Sequence, residues 1–481
     1  MAFVGTILQE VVKFKKNQLE KKEVHRVESQ DHVLMRLLDK AKDTEFGRAF
    51  GFADILASSD VKAAFAESVR VFSYNRMYDE WWHRTLNDEP DITWPGRIKY
   101  FALTSGTSGS PSKRVPVSIE MAKDMKHTSI RQMLNVYDLG MPKEFYQKSV
   151  LMLGGSTKLR KVGIHQEGDL SGILVARVPG WFYRFRKPNK KLGGIKDWET
   201  KLDMMVDKAP KWDIGIACGV PAWIQIFMER IIERHGVETI HDIWPNLRIY
   251  VHGGVSVAPY KDSLKKLMGR DMYYLDTYLA SEGFMAFETP TSNGHMQLVL
   301  DKGIYFEFVP FNEKNFTPDG ELLPGAEVLN ITQVENDVDY ALVISTCAGV
   351  WRYLIGDTIR FKNKDNFEII ITGRTKHFLS LCGEHLSVDN MNQGLEMTGE
   401  QLGASFNEFT VAGVPYQGMF AHHWWIGSDK EVDPAEVRRL LDENLRKLND
   451  DYGTERGHAL KEVVVEILPT EKFYNYMRRM G

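Results

Sequence analysis

The chain has 481 residues, of which 43% are hydrophobic and 26% charged, and a formal net charge of −4. At roughly 150 residues per domain that length suggests two to four domains, in a globular protein with enough apolar residues for a core. The mild acidity argues against a general nucleic-acid binder, and three scattered cysteines, Cys218, Cys347 and Cys382, argue against a disulfide framework or a zinc site.

Reduced thiols imply a cytosol-like, cytoplasmic compartment. The N-terminal "MAFVGTILQEVVKFKKNQLEKK" lacks a basic start and is interrupted by Glu10, so no signal peptide is expected. No segment reaches about 18 apolar residues, so no membrane span is expected.

The first third reads as helical. In "DHVLMRLLDKAKDTEFG" the residues Val33, Leu34, Leu37, Leu38 and Ala41 share one face, with a stop expected near Gly47. The stretch "YFALTSGTSGSPSKRVPVS" then passes from apolar to hydroxylated to basic and back to apolar. Its ten residues Thr104 to Lys113 hold four Ser, two Thr, two Gly, one Pro and one Lys. After it, "SIEMAKDMKHTSIRQMLNVY" has helical spacing with Ser118 as the N-cap.

From about residue 149 strands are predicted: "SVLMLGG", "LRIYVHGG", "DMYYLDTY", "YALVIST" and "FEIIITG". "MQLVLDKGIYFEF" reads as a hairpin turning at Asp301, Lys302 and Gly303. Buried strands separated by helices predict an α/β protein. The last hundred residues read as a separate α+β unit: "FTVAGVP", "HHWWIG" and "VVVEIL" as strands, and Asp433-Pro434-Ala435-Glu436 as a capped helix start. The boundary is expected near Gly373. There are no internal repeats and no low-complexity tract.

The Ser/Gly loop has two readings. It is a flexible linker, or it is a phosphate cradle in which glycines let backbone N–H groups converge, hydroxyls add donors and Lys113 adds charge. It is neither a Walker A loop nor a nucleophile elbow, because the spacing is wrong for both. The tight apolar flanks favour the cradle, as do three companions downstream. "YLASEGFMAF" sets Glu282 among small and aromatic residues, where a carboxylate needs a partner such as Mg²⁺ or a local cation. "WRYLIGDTIRF" places Gly356-Asp357 at the end of an apolar strand, either as a turn or as an acceptor for two ribose hydroxyls. "GRTKHFLSLCGEHLS" puts Arg374 and Lys376 at the expected boundary, as solvated linker charges or as site residues.

Three weaker signals carry less. "ARVPGWFYRFRKPNKK" is a surface loop or a lid over an anionic or aromatic substrate. His422-His423 lie on a strand, so they point to opposite faces and do not share a metal. His252 precedes Gly253-Gly254 and is either a core residue or a neighbour of the nucleotide.

In this order, Thr-Ser-Gly-Thr-Ser-Gly, Tyr-x-x-Ser-Glu, Tyr-x-x-Gly-Asp and Gly-Arg resemble the adenylate-forming superfamily of acyl-CoA ligases, firefly luciferase and peptide-synthetase adenylation domains. The further stretches "DTEFGRAFGF", "WPGRIKYFALTSGTSG", "LMLGGST", "GVPAWI", "IWPNLRIYVHGGVSVAPY", "ASEGF" and "RYLIGD" resemble the auxin-responsive Gretchen Hagen family of acyl acid amido synthetases, in its shorter bacterial form. The resemblance covers most of residues 40–390 and, more weakly, the C-terminal unit.

It implies a large N-terminal adenylation domain of helix-flanked β-sheets over residues 1–372. A small mobile C-terminal α+β domain would occupy 373–481, hinged at 373–376. It implies a ligase that activates a carboxylic acid with ATP as an acyl-adenylate, releases pyrophosphate, and passes the acyl group to an amine, usually an amino acid. Ser105, Gly106, Thr107, Ser108 and Lys113 would hold phosphate oxygens. Glu282 would carry Mg²⁺, Tyr278 and Ser281 would line the adenine and α-phosphate region, Asp357 would bind the ribose, and Arg374 and Lys376 would serve ribose or hinge. A monomer acting on small molecules, with no nucleic acid or membrane partner, is expected. The alternatives are a thiol acceptor, coenzyme A or a carrier protein, and a non-catalytic nucleotide-binding relative. Two departures from the pattern stand out. The loop has one residue more before its Lys than the common form. The chain reaches "EKFYNYMRRMG" without the Gly-Gln-x-Lys motif that carries the adenylation lysine in relatives, so that lysine is expected in a further tail or is replaced by another cation.

Overall fold

The structure is a computed structural model, and it describes residues 2–20, 26–104, 113–154, 159–175, 185–195, 197–376, 378–406 and 408–480. Its centre is a twelve-stranded sheet. In spatial order one half runs Leu329–Asn330, Ile304–Pro310, Asp339–Thr346, Val350–Asn363, Glu368–Arg374, Met296–Leu298 and Gly283–Glu288. The other half continues through Tyr273–Ala280, Ile249–Gly253, Ile214–Cys218, Ser149–Met152 and Arg186–Lys187. The first half is antiparallel, and the pairings from Tyr273–Ala280 to Arg186–Lys187 are parallel. Tyr273–Ala280 is therefore the junction, parallel to one neighbour and antiparallel to the other. With helices between its parallel strands, the protein is α/β, as composition and spacing predicted.

The helices of the first third cover the antiparallel half. Val33, Leu34, Leu37, Leu38 and Ala41 are all buried in the helix Arg26–Ala41. That helix stops before the expected Gly47, because Thr44 opens a new short helix by accepting a hydrogen bond from Gly47 N at 3.0 Å. Gly47 has its own reason to be there: a Cβ would lie 2.1 Å from Ala41 O. Behind these helices Phe46 stacks on Trp351 at 5.8 Å and Phe52 meets it edge-on at 4.7 Å. Fully burying each such ring is worth roughly 1.5–3 kcal/mol.

The apolar flanks of the Ser/Gly loop are themselves strands, Tyr100–Thr104 and Lys113–Val117, earlier in the chain than the first strand expected from sequence. They pair antiparallel in a separate four-stranded sheet, with Thr104 opposite Lys113. Ser118 caps the following helix by accepting from Met121 N at 2.9 Å, as predicted.

The expected hairpin at 296–310 is not one. Met296–Leu298 pairs with Gly283–Glu288 and Glu368–Arg374, whereas Ile304–Pro310 is separated from it in the sheet by three intervening strands. Between them Val299 N still bonds Met285 O at 2.9 Å, and Arg131 holds Asp301 at 2.9 Å. The Asp-Lys-Gly turn thus carries the chain across the sheet rather than back on itself. Alternating apolar residues on either side of a turn signal cannot distinguish the two.

Beyond residue 386 the strands Phe409–Tyr416, Met419–Gly427 and Leu460–Leu468 form a three-stranded sheet packed by the helices Val388–Leu402 and Pro434–Leu448. Asp433 caps the second helix through Ala435 N at 3.0 Å. Its buried side chains join one core with those of the helix Pro221–His235. Polar contacts reinforce the seam: Tyr260 Oη donates to Leu381 O at 2.8 Å, and Gln225 Nε2 to Gly418 O at 2.7 Å. His422 and His423 do face opposite ways, one fully buried against Glu384, the other outside against Glu466.

Candidate active site

The site is built on the junction strand. Tyr273–Ala280 and Gly283–Glu288 are joined by the two residues Ser281 and Glu282, with Ala280 opposite Gly283. A Cβ on Gly283 would come within 2.5 Å of Ile304 Cδ1, so a larger residue here would have to displace the tip of that side chain. Tyr278 and Glu282 are both buried.

Gly356-Asp357 does not end a strand. Val350–Asn363 runs straight through it with a bulge: Leu354 is opposite Val343 and Thr358 opposite Ala341, so Ile355, Gly356 and Asp357 together face Leu342. Gly356 takes φ +91°, which an L side chain rarely adopts. Bulges re-aim side chains beside sites, and this one turns Asp357 towards the junction. Tyr278 Oη donates to Asp357 Oδ2 at 2.5 Å, and Arg374 Nε lies 3.1 Å from Asp357 Oδ1. Arg374 is directly opposite Asp357 in the ladder, and Thr375 N bonds Gly356 O at 2.8 Å.

Two ionisable groups are displaced towards neutrality. Glu282 is pushed up to about 7, first by burial and then by the negative Asp357, with its own backbone N–H, Lys113 and Arg374 pulling the other way. Lys113 is brought down to about 8 by burial and by the positive Arg374 and Lys376, against the pull of Glu282. Neither cation hydrogen-bonds Glu282. A buried carboxyl near pH 7 that senses cations without bonding them fits a site completed by a ligand. One carboxylate plus phosphate oxygens is a usual Mg²⁺ arrangement. Among the described residues no cluster of three His, Cys, Asp or Glu suits a metal on its own.

Of the residues singled out from sequence, Lys113, Tyr278, Glu282, Asp357 and Arg374 converge on this place. Ser281 is in the same turn, half-buried. Lys376 points away, to Glu321 at 2.5 Å, though its charge is still felt at Lys113. Ser105, Gly106, Thr107 and Ser108 lie outside the described residues, as do residues 176–184 of the basic aromatic stretch. His252 is buried one strand from Tyr273–Ala280, with Nδ1 3.2 Å from Asp276 Oδ1.

Two tyrosines were missed. Tyr74 Oη accepts from Arg114 N at 2.8 Å, and its ring lies 5.0 Å from Lys113 Nζ. Tyr353 is buried close enough to Glu282, Tyr74 and Asp357 that burial and these groups hold its phenol well above the usual range. Tyr353 sits inside "RYLIGD", where the motif offered a signal. Tyr74 had none, since only the fold brings residue 74 beside 113.

The overall fold of the chain has counterparts in solved structures. AtGH3.15 acyl acid amido synthetase in complex with 2,4-DB matches with a TM-score of 0.63 at 17% identity, over 98% of this chain and 92% of that one. 2-Hydroxyisobutyryl-CoA ligase with 2-HIB-AMP and CoA matches with a TM-score of 0.61 at 14% identity, over 95% and 93%. The protein has the fold of the adenylate-forming enzymes. Sequence comparison narrows the class. The GH3 family N-terminal domain matches residues 15–184 and the GH3 family central domain residues 297–369. A probable indole-3-acetic acid-amido synthetase, GH3.1 of Oryza sativa subsp. japonica, is 22% identical over 489 residues, 85% of this chain and 77% of that protein. The rice GH3.6 is 30% identical over 169 residues, 33% of each chain. The chain belongs to the GH3 family.

Proposed function

We propose that the protein is an ATP-dependent acyl acid–amido synthetase. It joins a carboxylic acid to AMP with release of pyrophosphate, then transfers the acyl group to the amine of an amino acid with release of AMP. Its membership of a family whose named relatives are amido synthetases supports the reaction class. The observation that carries the reading on this chain's own residues is the Tyr278–Asp357–Arg374 cluster beside the buried Glu282 and Lys113.

In this reading Asp357 accepts from the ribose hydroxyls and Arg374 holds it in place. Ser105, Gly106, Thr107, Ser108 and Lys113 receive phosphate oxygens, and Ser281 lines the same turn. Glu282 supplies a carboxylate to Mg²⁺, which would neutralise phosphate charge as the acid approaches. A carboxyl poised near 7 is ionised readily by a bound divalent cation and costs little when the cation leaves. Residues 1–372 would form the adenylation domain and 373–481 a mobile unit turning at 373–376 between the half-reactions. The enzyme would act as a monomer in the cytoplasm. No helix among the described residues is long and apolar enough to cross a membrane.

The test is ATP–pyrophosphate exchange over a panel of aryl, indolyl and fatty acids with no amine present, followed by product analysis with amino acids or coenzyme A. Acid-dependent exchange and an amide product are expected. A thioester instead of an amide would move the enzyme to the thiol ligases, and ATP binding without exchange for any acid would make it a non-catalytic relative.

A further inference from the structure

The two halves of the site stand on different sheets. Asp357 belongs to Val350–Asn363 in the twelve-stranded sheet, and Lys113 opens Lys113–Val117, the outer strand of the four-stranded one. A nucleotide held at both needs a fixed distance between them, and Tyr74 connects the two. The chain just before it is bonded to the first sheet. Phe72 N donates to Arg352 O at 2.8 Å, and Leu354 N, three residues short of Asp357, donates to Phe72 O at 2.9 Å. Ser73 then caps the short helix Tyr74–Met77. The Tyr74 ring meets Trp82 edge-on at 5.9 Å, and Trp82 meets Tyr353 at 5.8 Å. On its other side Tyr74 Oη accepts from Arg114 N at 2.8 Å, giving a backbone donor of the outer strand the partner it needs.

The ring also meets the cation. Lys113 Nζ lies over its face, 5.0 Å from the centre. Among the described residues no carboxylate is within ion-pair distance of this ammonium, and Glu282 acts on it only as a charge at longer range. The difference matters for an ammonium meant for an anion. A carboxylate would occupy N–H donors that a phosphate must then win back. The face of an aromatic ring attracts the cation and leaves all three donors free. A lysine stem has several rotatable bonds, so an unheld ammonium loses much freedom on binding. A ring that restricts it beforehand removes part of that loss.

We propose that Tyr74 is a positioning residue for ATP, holding the Lys113 ammonium at a set distance from Asp357 with its donors free for phosphate oxygens. The inference rests on the function proposed above, in which the nucleotide spans those two residues. The hydroxyl ties the ring to the strand that carries Lys113, and the bonds of Phe72 tie it to the strand that carries Asp357.

The experiment is a double-mutant cycle on Mg²⁺–ATP affinity, read by calorimetry on the full chain near neutral pH. It compares wild type, Tyr74→Met, Lys113→Met and the two together, and it needs no turnover. Lys113→Met alone is expected to weaken ATP binding. Tyr74→Met should weaken it about tenfold when Lys113 is present and less than about threefold when it is not, since the ring then has no ammonium to hold. Tyr74→Phe, which keeps the ring, should stay within about threefold of wild type. A purely structural tyrosine would cost the same factor in both backgrounds. That result, or undiminished affinity in Tyr74→Met or in Lys113→Met, overturns the proposal. If urea unfolding shows that Tyr74→Met does not fold, Tyr74→pentafluorophenylalanine decides, because it has the shape of phenylalanine with the charge of the ring face reversed. ATP bound about threefold or more weakly than by Tyr74→Phe supports the proposal, and equal binding overturns it. A wild type that binds ATP and shows no exchange with any acid would refute the proposed function while the cycle is still read. One that binds no ATP overturns both.

Discussion

Glu282 and Glu384 are both buried glutamates in short turns, and their surroundings treat them in opposite ways. Glu384 is fully buried and fully answered. Its oxygens accept from Leu381 N, Cys382 N and Gly383 N at 2.9–3.1 Å, and His422 Nε2 lies 2.9 Å away. Although burial acts against it, His422 and these amides hold its carboxyl down at about 2. Glu282 has the burial with only its own backbone N–H to answer it, and rises to about 7. The first is a carboxylate the fold has finished with, since its charge ties residues 381–384 to the strand Met419–Gly427. The second is left for something outside the protein to complete.

The largest effect expected from this contrast is structural. Glu384→Ala strands His422 and several amides in the interior, which typically costs about 3–5 kcal/mol. Urea unfolding should show it, with acid-dependent exchange altered only as far as folding is. A loss under about 1 kcal/mol would mean that the C-terminal unit does not depend on this turn.

Next comes pH, where the two glutamates have opposite signs. Between 4.5 and 7 an unfolded chain has Glu282 ionised while the folded one keeps its proton, so this residue makes the protein less stable as pH rises through that window. Glu384 is depressed, so its contribution is present above 4.5 and is lost as pH falls towards 2. Each arm amounts to about 3 kcal/mol at most. Stability profiles of Glu282→Gln and Glu384→Gln should each flatten one arm and leave the other. A Glu282→Gln profile parallel to wild type from pH 4.5 to 7 would remove the unanswered carboxyl from the comparison.

Catalysis sharpens it further. Glu282→Gln keeps the shape, removes the anion, and should slow acid-dependent exchange on the order of 100-fold while raising the Mg²⁺ needed. Folding at pH 8 should be unharmed or improved, because an amide replaces a carboxylate that the interior does not stabilise. Exchange kinetics that follow wild type across a Mg²⁺ titration would take Glu282 out of the metal site.

How much of this was legible beforehand differs between the regions for the same reason. Around Glu282 the signals were local: a small-residue turn, a Gly-Asp pair and a Gly-Arg pair, each short enough to be read without the fold. What could not be read was how the chain presents them. The bulge at Ile355–Asp357 is a register event between strands, visible only against Val343 and Ala341, so Asp357 read as a strand end. The 296–310 segment failed as a hairpin because strand partners are chosen across the sheet. At Glu384 almost nothing was legible. In "GRTKHFLSLCGEHLS" the sequence draws attention to Arg374 and Lys376 and says nothing of Glu384, since its partner His422 is supplied by a strand nearly forty residues on. Tyr74 beside Lys113 is the same case. Motifs survive in sequence where neighbours along the chain do the work, and vanish where neighbours in space do.

The smallest effect belongs to Lys376, which follows a site residue by two positions and yet stands outside the contrast. Its ammonium is paired with Glu321 at 2.5 Å, both side chains well exposed, 40% and 57%. Water already solvates such a pair, so breaking it is worth roughly 0.2–1 kcal/mol. What tethers this stretch is backbone. Thr375 N bonds Gly356 O at 2.8 Å, and a Cβ on Gly320 would fall 1.7 Å from Thr375 O, a close approach that glycine alone permits. Lys376→Ala should therefore shift the urea midpoint barely and change ATP affinity less than about threefold, through its distant charge on Lys113 alone. A tenfold loss of ATP affinity would mean that Lys376 leaves Glu321 for the nucleotide during turnover. It would then join Glu282 among the groups that a ligand, rather than the fold, completes.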